Sequence, residues 1–125
     1  MPKSDLVLLA FDDEQILELF ERALTSIQYR VAFARDRAAL DRSLQTSSPA
    51  LVIIYQNFNG LNELEIAGEV MERFPTLPVL LLLTKDTQAV IKKAIHIGVS
   101  DCLLAPLRIE DIQKAVANSI GTHPT

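Results

Sequence analysis

The sequence lacks the features of a disulfide-bonded or membrane-anchored protein. It has one cysteine, Cys102, among 125 residues. An internal disulfide is therefore impossible, and a reducing compartment is the simplest expectation. The first apolar run, Leu6 to Phe11, holds only six residues, which is too short for a signal-peptide core or a membrane span. We expect a cytoplasmic protein that makes no contact with a membrane.

The chain also lacks an excess of positive charge and is poor in aromatic residues. Its net charge is −4, and its lysines and arginines are scattered without a basic stripe, so we expect no direct nucleic-acid partner. Aromatic residues make up 6% of a chain that is 49% hydrophobic. This balance favours aliphatic packing of helices on a sheet over an all-β sandwich. The length fits a single domain.

Short apolar runs alternate with segments of helical periodicity along the whole chain. The runs predict strands over 6–11, 29–34, 51–54, 79–83 and 101–104. Helices are predicted from Glu14 onward and over 37–45, 61 or 62–74, 87–97 and 108–120. Because the strands are apolar without alternation, both faces of the sheet are expected to be covered. The pattern predicts an α/β protein with a doubly wound parallel sheet.

Side chains that follow different strands are expected to line one crevice. In a parallel sheet of this kind, the carboxyl ends of the strands meet at one edge, where α/β proteins keep their chemistry. The positions at that edge are Asp12 and Asp13 after the first strand, Tyr55 after the third, Leu83 and Thr84 after the fourth, and Ala105 and Pro106 after the fifth.

The motifs at these ends resemble those of the response-regulator receiver domain, which accepts a phosphoryl group from a histidine kinase. The resemblance covers essentially the whole chain and is carried by the acidic pair 12–13, the run 49–54, residues 78–79, residues 98–101 and Pro106. It implies a role in two-component (phosphorelay) signalling and a three-layer, flavodoxin-like (βα)5 fold with strand order 2-1-3-4-5. We assign this domain to residues 1–120, and 121–125 to a flexible tail or the start of a linker.

The resemblance also implies what an active site of this family needs. A carboxylate after strand three accepts the phosphoryl group, and with two carboxylates after strand one it holds Mg²⁺. A lysine and a hydroxyl then neutralise the phosphoryl oxygens.

This chain departs from that pattern at four positions. The phosphoacceptor position falls on Tyr55, the hydroxyl position on Leu83, the lysine position on Ala105 and the aromatic switch position on Cys102. A neutral phenol is a poor metal ligand and cannot form an acyl phosphate. We therefore predict a degenerate, or pseudo, receiver. It would be a non-enzymatic module for phosphorylation-independent interaction or dimerisation, acting on a protein partner or an attached output domain.

Several of these residues admit a second interpretation. Asp12 and Asp13, with the main-chain carbonyl of Asn57, would form a weak Mg²⁺ site, or one aspartate caps the next helix while the other is solvated. No cofactor is required. Tyr55 is a phosphotyrosine site or, as we favour, fills the pocket with its ring. Cys102 is a redox sensor or, as we favour, a small core residue.

The predicted helix 87–97 carries a wide apolar face. Its apolar residues span an arc of roughly 160°, more than a surface helix needs for its own core. Ile91 or Ile95, with Leu107, would form a homodimer or partner interface. The alternative is that the whole arc packs inside.

Two other functions remain open from the sequence. One is a phospho-accepting receiver with an atypical site, although no aspartate lies between Asp41 and Asp86. The other is a flavodoxin-like cofactor binder. That function needs a loop after the first strand that cradles phosphate, and the acidic residues 12–14 would repel an anion there.

Overall fold

The computed structural model of the protein describes residues 5–56, 58–84 and 88–121. The strands are β1 (Leu6–Ala10), β2 (Arg30–Ala34), β3 (Leu51–Tyr55), β4 (Val79–Leu83) and β5 (Asp101–Leu104). The helices are α1 (Glu14–Thr25), α2 (Arg37–Thr46), α3 (Glu63–Arg73), α4 (Gln88–Ile97) and α5 (Ile109–Gly121), and a short 3-10 helix spans Phe58–Gly60. None of the helices in this part of the chain is long and apolar enough to cross a membrane.

The five strands form one parallel sheet in the order β2-β1-β3-β4-β5. The predicted flavodoxin-like α/β fold and its strand order are therefore confirmed. The central strand β3 lies between β1 and β4, and its first four residues are completely buried. This burial explains why the strand is apolar without alternation.

Successive residues of each strand enter two separate cores, one on each face of the sheet. Leu51 and Ile53 of β3 pack with residues of α1 and α5. Val52 and Ile54 pack on the opposite face, with residues of α2, α3 and α4. Because side chains alternate across a strand, one short apolar run supplies both cores. The result is the predicted three-layer arrangement.

Three helices begin at capping residues that sequence patterns anticipate. The side chains of Asp13, Asp36 and Asn62 each accept hydrogen bonds from main-chain N–H groups in the first turn of α1, α2 and α3. Such caps satisfy donors that have no partner within the helix. Asn62 is thus the cap of α3, and the helix runs from Glu63 to Arg73, inside the predicted bounds of 61 or 62 to 74.

The remaining differences from the predicted bounds lie at the ends of elements. The ladder of β1 ends at Ala10, although Phe11 is completely buried, because apolar burial extends beyond the paired backbone. Helix α5 includes Gly121, which we had assigned to the tail. Residues 122–125 and Thr87, the predicted first residue of the fourth helix, lie outside the described residues.

Candidate functional site

The carboxyl ends of the strands meet at one edge, as parallel pairing requires. Ala10 of β1 pairs with Ile54 of β3, and Tyr55 pairs with Leu82 of β4. Leu83 pairs with Leu104 of β5. The loops after β1, β3, β4 and β5 therefore leave the sheet side by side. We call this region the strand-end site.

Aromatic rings pack together at the strand-end site. The ring of Tyr55 contacts Phe11 edge-on, with centroids 5.6 Å apart and an interplanar angle of 61°. Phe11 in turn contacts Phe20 of α1, with centroids 5.0 Å apart at 83°. Phe11 and Phe20 are completely buried, and Tyr55 is half-buried beside them. The tyrosine is thus an extension of the core between the sheet and α1.

The hydroxyl group of Tyr55 lies in an environment that keeps it neutral. Burial raises the pKa of Tyr55 above its usual value, and the negative charges of Asp13 and Asp12 raise this pKa further. Both effects disfavour the phenolate. At neutral pH the site therefore holds an uncharged phenol at the end of β3.

The two aspartates after β1 have different roles. Asp13 caps α1, and its Oδ1 atom accepts hydrogen bonds from the N–H groups of Gln15 (2.9 Å) and Ile16 (3.2 Å). Asp12 is exposed. The predicted alternative, in which one aspartate caps the helix, is correct for Asp13.

The donor set at this edge differs from the one that the resemblance to receiver domains implies for Mg²⁺. Within the described residues, no three histidine, cysteine, aspartate or glutamate side chains come together in a group that could hold a metal. Two carboxylates are present, one of them engaged in a cap, and Tyr55 contributes a neutral phenol. Asn57, the third predicted ligand, lies outside the described residues. This set has one carboxylate fewer than the three that the resemblance implies for a Mg²⁺ site.

A side-chain contact that the sequence did not reveal joins the loops after β3 and β4. The Oε1 atom of Gln56 accepts hydrogen bonds from both the main-chain N–H (2.9 Å) and the hydroxyl (3.1 Å) of Thr84. The N–H of Gln56 also donates to the carbonyl of Leu82 (2.8 Å). Gln56 thus holds the Thr84 hydroxyl through an uncharged acceptor. The only sequence signal was a polar residue directly after a buried strand.

The positions predicted for the hydroxyl and the lysine of a receiver, residues 83 and 105, hold apolar side chains. Leu83 is completely buried in the core beneath α2, α3 and α4. Ala105 is half-buried, and its N–H donates to the carbonyl of Leu83 (2.9 Å). The peptide bond between Ala105 and Pro106 is cis. Neither side chain offers a charge or a hydrogen bond to an anion.

Cys102 is a half-buried residue of β5 that packs against the same core as Leu83. Burial raises the pKa of the Cys102 thiol, and the nearby carboxylate of Asp101 raises it further. A raised pKa reduces the thiolate population on which redox reactivity depends. The geometry agrees with the interpretation of Cys102 as a core residue.

The three predicted interface residues lie in different surroundings. Ile95 of α4 is 63% exposed. Ile91 is half-buried against the core beneath α2, α3 and α4, whereas Leu107 is half-buried against the opposite core. Leu104, which we had not singled out, is 40% exposed on β5. An apolar surface at α4 and β5 therefore centres on Ile95 and Leu104 more than on Ile91 and Leu107.

Comparison with known proteins identifies the family. The family model described as the response regulator receiver domain matches residues 7–117. The transcriptional regulatory protein TctD of Salmonella typhimurium is 31% identical over 106 residues, which cover 85% of this chain and 47% of TctD. The chain thus spans about half the length of that relative.

Solved structures share the fold at lower identity. A response regulator from Thermotoga maritima has a TM-score of 0.87 at 20% identity, covering 95% of this chain and 99% of that one. NtrX from Brucella abortus has a TM-score of 0.88 at 20% identity, covering 94% of this chain and 27% of that one. Receiver domains are signalling modules of two-component systems. The family model and the fold agree, and the chain belongs to the response regulator receiver domain family.

Proposed function

We propose that this receiver domain works without phosphorylation, as a protein-interaction or dimerisation module in two-component signalling. The observation that carries the proposal is Tyr55. Its ring stands at the end of β3 and packs on Phe11, so the site presents a neutral phenol in place of a nucleophilic carboxylate. A phenol cannot form the acyl phosphate on which receiver chemistry depends.

Three further features support a site that does not accept phosphate. Leu83 and Ala105 place apolar groups where phosphoryl oxygens need a hydroxyl and an ammonium group. The N–H and hydroxyl groups of Thr84 already donate hydrogen bonds to Gln56. The acidic pair lacks a third carboxylate with which to hold Mg²⁺. Each group that would stabilise a transferred phosphoryl is replaced or already bonded.

Direct phosphorylation tests the proposal. The protein is incubated with acetyl phosphate and Mg²⁺ beside a receiver domain that carries aspartate at the end of β3, and both are analysed by intact mass spectrometry. We expect a phosphoryl adduct on the reference domain and none on this protein. A stoichiometric adduct that hydroxylamine removes would establish the rival function, a phospho-accepting receiver with an atypical site. Beryllofluoride with Mg²⁺, a mimic of the acyl phosphate, should likewise produce no saturable spectral change.

The module would act through a partner or through an output domain attached to it. TctD, which is about twice as long as the matched region, is named a transcriptional regulatory protein. We propose that the exposed apolar surface of α4 and β5 forms the homodimer or partner contact. Ile95, at 63% exposure, and Leu104 are its centre.

Light scattering across a range of protein concentrations tests the homodimer version. We expect a concentration-dependent dimer that Ile95→Glu abolishes. Phe33→Glu is the matched control, because Phe33 is also exposed (38%) but lies on β2, at the opposite edge of the sheet. A strictly monomeric wild-type protein at high concentration would leave only the hetero-partner version.

A further inference from the structure

A second depression lies between α3 and α4 and shares no lining residue with the strand-end site. It has a volume of about 540 Å³ and is open to solvent. We call it the α3–α4 groove. Ile97 and Lys93 border it from α4, and Leu64 and Gly68 from α3. On the helical wheel of α4, Ile97 and Lys93 lie on one side of the buried Ala94 and Ile95 lies on the other, so the groove is distinct from the surface around Ile95.

The walls of the groove are apolar and partly uncovered. Ile97, the last residue of α4, is 42% exposed. Leu64 is half-buried on the facing helix. A depression with apolar walls and a few polar groups is the usual form of a recognition site.

Gly68 keeps the groove open, and the fold itself does not require a glycine there. Gly68 lies inside α3, where glycine is less favourable than alanine by about 0.5–1 kcal/mol. Its φ angle is not in the left-handed region, and a Cβ atom built on it would meet nothing within 4 Å. The absent side chain therefore leaves room for something outside this chain to approach the backbone of α3.

The charge of the groove is opposite to that of the protein. Residues 88–97 of α4 contain no carboxylate, although the chain carries a net charge of −4. Lys92 and Lys93 line the groove, and Glu65 is the carboxylate on its α3 side. In the described part of the chain, neither lysine takes part in an ion pair, and the ion pairs present use arginines. Two ammonium groups thus stand beside exposed apolar walls.

We propose that the α3–α4 groove binds an acidic amphipathic helix of a partner protein. Apolar side chains of that helix lie over Gly68, between Leu64 and Ile97, and its carboxylates pair with Lys92 and Lys93. A helix fits better than an extended strand, because the groove is bounded by two helices whose backbone groups are already bonded and offers no sheet edge to extend. The proposal holds whether or not Tyr55 accepts a phosphoryl group.

A designed peptide tests this recognition. The probe is a capped synthetic helix of about 14 residues, roughly four turns, with leucines at i, i+3, i+4 and i+7 and glutamates on the flanking positions. Titrated into ¹⁵N-labelled protein, it should shift the amide resonances of Gly68, Lys93 and Ile97 in a saturable manner. The affinity should fall as salt rises. The same peptide with lysines in place of the glutamates should bind at least about tenfold more weakly.

Two variants locate the site on the protein. The double variant Lys92→Glu/Lys93→Glu should weaken binding of the acidic peptide by at least about tenfold. Lys114→Glu is the matched control, since Lys114 is an exposed lysine on α5, and it should bind as the wild type does. Gly68→Leu fills the groove. It should leave the thermal midpoint unchanged or higher while reducing the affinity, a combination that a purely structural role of Gly68 would not produce.

Three results would overturn the proposal. The first is the absence of saturable shifts, and the second is a set of shifts that maps to Ile95 or to the strand-end site. The third is evidence that a second copy of this chain occupies the groove. If the groove resonances move with protein concentration alone and Lys92→Glu/Lys93→Glu stops that movement, the groove is a contact between copies.

Discussion

The strand-end site and the α3–α4 groove are built from the same layers of helix and sheet, yet they differ in how far their side chains contact one another. At the strand-end site, Tyr55 packs on Phe11, and Gln56 binds Thr84. In the groove, Ile97 is exposed, Gly68 has no side chain and Lys93 has no ion-pair partner among the described residues. The first region is partly filled by its own residues, whereas the second leaves apolar and charged groups exposed.

This difference shows that the place where a fold usually has its functional site need not be the place where a given domain binds other molecules. The fold brings the strand ends together in any parallel sheet of this topology, and here Tyr55 at that edge packs on the completely buried Phe11. The groove lies on the flank of α4, where the residues leave apolar surface and positive charge accessible. In this domain we therefore propose that the helices carry recognition, whereas the strand ends contribute to structural stability.

The largest expected effect comes from removing the aromatic ring at the centre of the strand-end site. Phe11→Ala should lower the free energy of unfolding by about 3–5 kcal/mol, because a completely buried ring leaves a cavity between Tyr55 and Phe20. Urea denaturation monitored by circular dichroism measures the change.

The matched change in the groove should have a small effect. Ile97→Ala should lower the free energy of unfolding by less than about 1 kcal/mol, because Ile97 is already 42% exposed and loses little buried area. Equal losses for the two variants would show that the groove is as much a part of the core as the strand-end site.

An intermediate effect is expected when a carboxylate replaces the phenol. Tyr55→Asp should lower the free energy of unfolding by about 2 kcal/mol, since it removes the ring contact with Phe11 and adds a negative charge beside Asp12 and Asp13. Mg²⁺ should then raise the thermal midpoint, because three carboxylates make a site for a hard cation whose binding stabilises the folded state.

The matched control for that experiment is Tyr55→Asn, because asparagine has nearly the same size as aspartate but carries no charge. Its thermal midpoint should not respond to Mg²⁺, nor should that of the wild-type protein. An equal response in all three would mean that Asp12 and Asp13 bind the ion without help from position 55, as the weak metal site predicted from the sequence requires.

The smallest effect is a shift in the titration of Tyr55. Burial, and then the charges of Asp13 and Asp12, raise the pKa of Tyr55 above 10.0. The neutral phenol therefore stabilises the folded state fully below about pH 10, which is the pKa of tyrosine in the unfolded chain. That stabilisation is lost as the pH rises through the higher pKa of the folded state. The absorbance of tyrosinate, compared between wild type and Tyr55→Phe, isolates the contribution of Tyr55. A midpoint at or below 10 would contradict a buried phenol beside two carboxylates.

Much of the architecture could be read from local pattern. Runs such as Leu51 to Ile54 and Val79 to Leu83 identified buried strands, because only strands covered on both faces tolerate unbroken apolar sequence. The capping residues Asp13 and Asp36 identified helix starts through their side-chain chemistry. Element ends were less certain. Gly121 continues α5, since hydrogen bonding, which sequence periodicity does not report, decides where a helix stops.

The candidate site could be predicted only in part from local sequence patterns. The position of Tyr55 followed from the strand that precedes it, but its contact with Phe11 joins residues far apart in the chain. The same holds for Gln56 and Thr84, which meet because β3 and β4 are neighbours in the sheet. Of the apolar residues on α4, Ile95 proved exposed and Ile91 half-buried. A helical arc alone does not reveal which neighbours cover it.

The sequence by itself determined the family, the order of helices and strands, and the presence of a tyrosine at the end of β3, because these depend on residue identity and local periodicity. Only the tertiary structure decided how the strand ends are closed and where the surface is left open. The Phe11–Tyr55 packing, the Gln56–Thr84 hydrogen bonds and the α3–α4 groove arise from residues that are distant in the chain. Their contacts depend on the packing of helices against the sheet, which local sequence patterns do not encode.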